Sequence, residues 1–254
     1  MKTLELQDLT AVAVEIAKDA GSRVRNSSVG IREVVSDLRR DVKVKADYEL
    51  EAFIVKCLSQ KTDLKILTEE KGLIEETGGD SSYCWIVDPL DGSVNFSREI
   101  PISCISIGLW KETVPLLGVI YDFNHDEIFT GLVGQGAWLN GRRIGIGDVK
   151  EKKQAVLLTG LPVSTDFSES GLSGFVRDAR LYKKMRLLGS AALSMAYVAC
   201  GRADVYQEND IAVWDVAAGI AIVMGAGGIV DFRPAETENR LHVKAGNKSL
   251  VSSG

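Results

Sequence analysis

The sequence predicts an α/β (α+β) protein built from an antiparallel-rich sheet followed by an alternating α/β layer. Three observations carry this. Short β-branched runs separated by turn residues fill the stretch from 65 to 131; from about 150 onward strand-like and helix-like runs alternate; and a charged link, Gly147-Asp148-Val149-Lys150-Glu151-Lys152-Lys153, separates the two textures. The expected division is therefore into residues 1–150 and 151–254.

The first element is a helix from residue 5 to about 26, because Leu6, Leu9, Val12, Ala13, Ile16 and Ala20 fall near a 3.6-residue period; it ends near Gly21 or frays beyond it. A short extended piece, Val42 to Val44, leads into Asp47, which is placed to cap a helix from Tyr48 to Leu58 with the stripe Leu50, Phe53, Ile54 and Cys57. Strands follow at Lys65 to Thr68, Tyr83 to Val87, Ser103 to Trp110, Val114 to Asp122 and Asp126 to Gly131, with Lys111-Glu112-Thr113 as a hairpin connection. Beyond the link, the strand Ala155 to Leu158, the helix Ser168 to Asp178 and the strand Lys184 to Leu188 lead to an apolar helix, Ser190 to Ala199, closed by Gly201. A strand at Ala203 to Tyr206, the helix Val213 to Met224 ending at Gly225, and a strand Gly228 to Phe232 complete the pattern. There is no internal repeat and no low-complexity tract.

Composition narrows the function. A net charge of -5 argues against general nucleic-acid binding, which rests on a basic surface. The longest apolar runs fall short of the roughly 18 residues of a membrane span, and the amphipathic N-terminus carries Glu5, Asp8, Glu15 and Asp19, unlike a signal peptide. Cys57, Cys84, Cys104 and Cys200 are scattered without CxxC pairing, and three of them sit in apolar runs, so buried free thiols and a reducing, cytoplasmic compartment are expected. A small molecule is the expected partner, with no nucleic acid and no membrane.

The chemistry gathers at W85-I86-V87-D88-P89-L90-D91-G92-S93-V94-N95-F96. The strand is apolar enough to be buried, so Asp88 emerges at its C-terminal end, where open sheets place ligand sites. Pro89 removes a backbone donor and Gly92 permits a tight approach, so the chain can aim Asp88 and Asp91 at one point. Two carboxylates that close must share a proton or hold a cation, and oxygen ligands suit Mg²⁺. A solvent-exposed β-turn would explain the same residues. Glu69-Glu70 ends another strand and Asp215 opens an apolar helix; Asp215 alone could be a helix cap, but together the three ends suggest a shared metal cluster. His125 and His242 lie in surface-like turn and strand contexts, which leaves a histidine-based zinc site or a Ser-His-Asp triad without support.

The segment WIVDPLDGSVNF resembles the first signature of the inositol monophosphatase family, and WDVAAGIAIVMGAGG, from Trp214, resembles the second. Asp47 before its helix, Glu69-Glu70, IPISCISIGL, GQGAWLNGRRI and LGSAALSMAYVACGRADVY extend the likeness over roughly residues 40 to 248. The resemblance implies a layered αβαβα sandwich of the inositol monophosphatase and fructose-1,6-bisphosphatase type, a homodimer, and a Mg²⁺-dependent, Li⁺-sensitive phosphomonoesterase in which activated water attacks in line. Carried over, the ligands of two or three Mg²⁺ are Glu69, Asp88, the Leu90 carbonyl, Asp91 and Asp215, and the water-activating pair is Asp47 and Ser93. Phosphate would rest on the backbone around Gly92 and Ser93. Gly189, Ser190, Ala191 and Glu208 would face the alcohol portion. The first half then carries most metal ligands, and the second carries Asp215 and the substrate-selecting loops.

Plainer readings exist for single members: Asp47 as a helix cap, Ser93 as a turn hydroxyl, Glu208 as a solvated loop acid. The sequence also departs from the family. Lys43-Val44-Lys45-Ala46 precedes Asp47 where a small polar residue is common, and Gly254 comes soon after Asn247, so the terminal helix is expected to be absent or very short. Lys183-Lys184-Met185-Arg186 is basic, and Arg186 either meets a second phosphate or is a surface strand residue. An inositol phosphate or other sugar or polyol phosphate is the expected substrate. Fructose 1,6-bisphosphate, 3'-phosphoadenosine 5'-phosphate and histidinol phosphate are the alternatives; the nucleotide is disfavoured because Val94-Asn95 stands where such relatives carry Lys-Glu. A binding or regulatory homologue without turnover is the reading from a different class.

Overall fold

The strand expected to stop at Val87 continues through Pro89 to Asp91 and is buried from Trp85 to its end. The computed structural model describes residues 5–26, 29–38, 41–75, 80, 82–162 and 165–252. The first half runs α1 (Leu6–Asn26), β1 (Val34–Leu38), β2 (Asp41–Val44), α2 (Lys45–Lys61), β3 (Lys65–Thr68), β4 (Gly72–Ile74), β5 (Tyr83–Asp91) and α3 (Ser93–Ser97). It closes with β6 (Cys104–Lys111), β7 (Val114–Asp122), β8 (Glu127–Leu132), β9 (Gly136–Leu139) and β10 (Arg142–Ile144). The second half runs β11 (Val156–Leu158), α4 (Glu169–Leu181), β12 (Lys184–Arg186), α5 (Ala191–Ala199), β13 (Val205–Ala212) and α6 (Val213–Gly225). It ends with β14 (Ile229–Pro234), β15 (Arg240–Gly246) and α7 (Lys248–Val251).

An eight-stranded sheet has the order β10-β9-β8-β7-β6-β5-β3-β4, and a five-stranded sheet the order β12-β11-β13-β15-β14. The large sheet is antiparallel apart from the parallel pair β3 and β5, while β11 is parallel to both β12 and β13. Alternation along the central strands sends side chains to two cores. Trp85 and Val87 face a cluster with Leu9, Ile16, Leu50 and Ile54 of α1 and α2. Ile86 faces the opposite cluster, with Met195 of α5, Val216 and Ile220 of α6, and Tyr206 and Val243 of the small sheet. On the far side of that sheet Leu157 and Val205 pack with Tyr182 and Leu250. The layers are thus α, β, α, β, α, the α+β sandwich expected from the sequence.

A line of glycines fixes the middle layer. Gly108, Gly118 and Gly131 are cross-strand neighbours on β6, β7 and β8. A Cβ at Gly118 would stand 2.1 Å from the Ala218 carbonyl oxygen, and one at Gly131 would stand 2.4 Å from Ile222 Cα. The helix α6 therefore lies with its backbone almost on the sheet.

Several expectations are corrected. The first helix reaches Asn26, as its apolar period predicts, and does not end at Gly21, which lies inside it where the missing Cβ lets the Tyr121 ring approach. Asp47 is not the residue that begins α2. The helix starts at Lys45 with Val44 as its cap, and Asp47 reaches back from the first turn to accept the Val44 N–H (2.6 Å). The strand after Gly201 begins at Val205, beyond Ala203, and continues to Ala212. The short β1, β4, β9 and β10 and the longer β15 carry too little periodicity to stand out in the sequence. The cysteines are free, as expected, although only Cys104 is fully buried. Among the described residues no helix is long and apolar enough to cross a membrane.

Candidate active site

Register brings the acids together. Because β3 and β5 are parallel with Thr68 opposite Val87, the next residue on each strand, Glu69 and Asp88, emerges at the same edge. Between β5 and β6 the pairing runs from Asp88 opposite Ser106 to Asp91 opposite Cys104, so β5 carries one extra residue at Pro89-Leu90. The bulge turns Asp91 toward α5, where its Oδ2 accepts from Ser190 Oγ (2.5 Å) and the Ala192 N–H (2.8 Å). Asp88 Oδ1 accepts the Leu90 N–H (2.9 Å). Asp215 stands in the first turn of α6, so the glycine groove sets its depth. Gly92, at φ 91°, reverses the chain into α3, and a Cβ there would stand 2.7 Å from the Ile102 carbonyl oxygen.

Ser93 meets Asp47 across the sheet edge. Its Oγ lies 2.6 Å from Asp47 Oδ1 and 2.9 Å from the Leu90 carbonyl oxygen, so its single proton can serve either acceptor. Asp47 is fully buried, and burial raises its pKa to about 6 against the hydrogen bonds from Ser93 and Val44. That value suits a group exchanging a proton near neutral pH.

Burial and mutual repulsion push the remaining acids toward their protonated forms in the absence of a cation among them. Burial, followed by repulsion from Glu69, Asp91 and Asp215, raises the pKa of Asp88 well above the ordinary carboxylate range. Asp215 is raised in the same way, and it shares a side-chain hydrogen bond with Asp88. Burial lifts Asp91 to about 6 and Glu69 to about 7. Among the described residues, the ion pairs include none with Asp88, Asp91 or Asp215; Glu69 is paired with Lys43. No three His, Cys, Asp or Glu side chains among the described residues are already disposed around one centre. The donor set itself, carboxylates and a carbonyl with no nitrogen or sulfur, has the chemistry of a hard divalent cation site.

A cavity of about 380 Å³ is lined by Lys43, Asp88, Leu90, Asp91, Ser93 and Asp215, among others. Next to it, sharing Glu69, Asp91, Gly189 and Asp215, a cavity of about 290 Å³ is lined by Thr159, Gly160, Ser190, Ala191, Glu208 and Arg240. Gly189, Ser190, Ala191 and Glu208 are thus brought to one place beside the acids. Arg186 is not: it is exposed on β12, donates to the Met185 carbonyl (2.9 Å), and lines neither cavity.

Sequence reasoning missed several residues here. Tyr206 donates to Glu208 Oε2 (2.9 Å), and their two-residue spacing on a strand was the available signal. Asn95 Nδ2 donates to the carbonyls of Ile102 (2.9 Å) and Leu188 (2.8 Å), tying the turn after Asp91 to the segment before α5. Gly160 leaves room for Glu208, whose carboxylate oxygens would be 2.5 Å from a Cβ. No local pattern marks these last two, because both act on distant chain.

Fold and site together define a layered α+β protein whose acid cluster sits at the C-terminal edge of the large sheet, against the second sheet's helices. Comparison with known proteins places it further. The profile described as "Inositol monophosphatase family" matches residues 5–248, and the chain belongs to that family. It is 35% identical over 229 residues to the inositol-1-monophosphatase of Synechocystis sp., covering 89% of this chain and 79% of that one. It is 38% identical over 230 residues to the Nus factor SuhB of Xylella fastidiosa, covering 89% and 82%. The solved inositol monophosphatase of Anabaena (Nostoc) sp. superposes with a TM-score of 0.83 at 34% identity, covering 96% of this chain and 92% of that one.

Proposed function

We propose that the chain is a Mg²⁺-dependent phosphomonoesterase acting on an inositol phosphate or a related polyol phosphate. The observation that carries this is the set of mutually repelling acids, Asp88 and Asp91 buried and Glu69 and Asp215 half-buried, beside the hydrogen-bonded pair Asp47–Ser93. The residues that would hold Mg²⁺ are those four acids with the Leu90 carbonyl. Bound there, Mg²⁺ would supply positive charge to acidify a water and to screen the phosphoryl and leaving oxygens.

The chain's own groups do the rest. Ser93 Oγ would take a proton from the attacking water as it passes its own to Asp47 Oδ1 at 2.6 Å, and turning its hydroxyl toward Asp47 would leave the Leu90 carbonyl oxygen free to face a cation. The backbone of Gly92 and Ser93 would cradle the phosphoryl oxygens. Family relatives named as inositol monophosphatases support the phosphatase class. The lining of the second cavity supports a polyol: Thr159, Ser190 and Glu208 offer oxygens that accept from neutral hydroxyl groups, and the Arg240 guanidinium there already donates to the Asp210 carbonyl (2.6 Å). With Arg186 outside, a bisphosphate is the weaker reading.

The test is release of inorganic phosphate from inositol 1-phosphate and a panel of sugar, nucleotide and histidinol phosphates, with Mg²⁺ and with EDTA. Turnover of the polyol phosphates that stops in EDTA is expected; full turnover in EDTA, or none from any ester with Mg²⁺, would overturn the proposal. A binding role without turnover is the second reading, which the latter result would support; some relatives carry the name Nus factor SuhB. A homodimer is proposed from the family resemblance, with sedimentation as its check.

A further inference from the structure

Lys43 stands on β2 with its neighbour Val44 buried in the core, and the strand is pinned by the Lys45 N–H on the Glu33 carbonyl (2.9 Å). Alternation therefore directs Lys43 the other way, toward the acid cluster. Its ammonium contacts Glu69 Oε1 and lies 2.6 Å from Glu70 Oε1, with only 15% of the side chain exposed. Among the described residues lining the cavity with Asp88, Leu90, Asp91 and Asp215, it is the sole cation. The turn it grips is held from behind, because the Glu70 N–H donates to the buried Glu51 Oε2 (2.9 Å).

We propose that Lys43 is a resident cation that competes with a divalent ion for Glu69, and so sets the affinity of the site. The inference rests on the metal-dependent reading above. A unit charge a few ångströms away repels an incoming dication strongly in a half-buried site, and its contact with Glu69 must be broken for that carboxylate to turn inward. Glu70 gives the ammonium somewhere to remain: the flexible lysine stem can keep that partner while releasing Glu69. The arrangement holds the acid edge folded without an ion and weakens the site for one.

The experiment is calorimetric titration of Mg²⁺ into the wild-type protein, Lys43→Met and Lys43→Arg, with melting curves in EDTA and in excess Mg²⁺. Lys43→Met should lower the Kd for Mg²⁺ by about tenfold or more, melt earlier than wild type in EDTA, and gain more from added Mg²⁺. Lys43→Arg, which keeps the charge, should bind like wild type. If Lys43→Met does not fold in EDTA, Lys43→Gln carries the same expectation for affinity. A folded Lys43→Met or Lys43→Gln with an unchanged or higher Kd overturns the role of Lys43 alone. Absence of Mg²⁺ binding by wild type and variants alike would overturn the metal reading and this inference with it.

Discussion

Glu208→Gln isolates one buried acid and should make the metal-free protein more stable at pH 8 but not at pH 5. Glu208 is 7% exposed and receives the Tyr206 hydroxyl at 2.9 Å; burial raises its pKa from an ordinary 4.5 to about 7, despite that hydrogen bond and with a further push from Asp91. The folded protein therefore keeps a proton that the unfolded chain releases. Stability from this group is complete below about 4.5 and is lost as the pH rises through about 7. The interval corresponds to about 3 kcal/mol, at about 1.4 kcal/mol for each tenfold change in proton affinity. Glutamine accepts the same Tyr206 proton and never ionises, so it should recover up to that amount at pH 8, a rise in Tm of about 6–12 °C at this chain length. Melting both proteins in EDTA at the two pH values is the assay. A Tm difference of the same size at both pH values, or none at pH 8, would refute the reasoning.

Ser93→Ala should lower phosphate release by about 100-fold or more while costing only about 1 kcal/mol in urea denaturation, since it removes one hydroxyl from Asp47 and leaves the packing intact. Asp91→Asn should abolish measurable Mg²⁺ uptake by calorimetry and reduce turnover by at least about 100-fold; wild-type activity would discard the proposed ligand set. In Gly118→Ala the new methyl would meet the Ala218 carbonyl at 2.1 Å. It should cost about 1–3 kcal/mol in urea denaturation and depress activity too, because α6 carries Asp215.

The acids themselves were legible in the sequence, since Asp88, Asp91 and Asp215 each interrupt an apolar run, and an ionisable group at such a point demands an explanation. Their neighbours were not. The ammonium of Lys43 reaches Glu69 across a gap in sequence that no local pattern spans, and Asn95 meets Leu188 only because the two sheets fold against one another. In sequence Asp47 reads as the helix cap, because a carboxylate that reaches back from the first turn resembles the cap itself; in the structure it lies in that turn and Val44 is the cap. For a related reason Pro89 reads as the end of its strand, yet a bulge absorbs it and pairing resumes at Asp91.

By itself the sequence determined an antiparallel-rich sheet followed by an alternating α/β part, the buried central strands and the acids at their ends, because hydrophobic period and local turn chemistry act over a few neighbouring positions. The layered sandwich was implied by the family resemblance. Tertiary structure alone decided the parallel register that sets Glu69 beside Asp88, and the glycine groove that lowers α6 until Asp215 joins them. It also decided the pairing of Lys43 with that cluster. Those outcomes depend on distances between segments far apart in the chain, and a single line of residues does not fix such distances until the sheet and its helices close on one another.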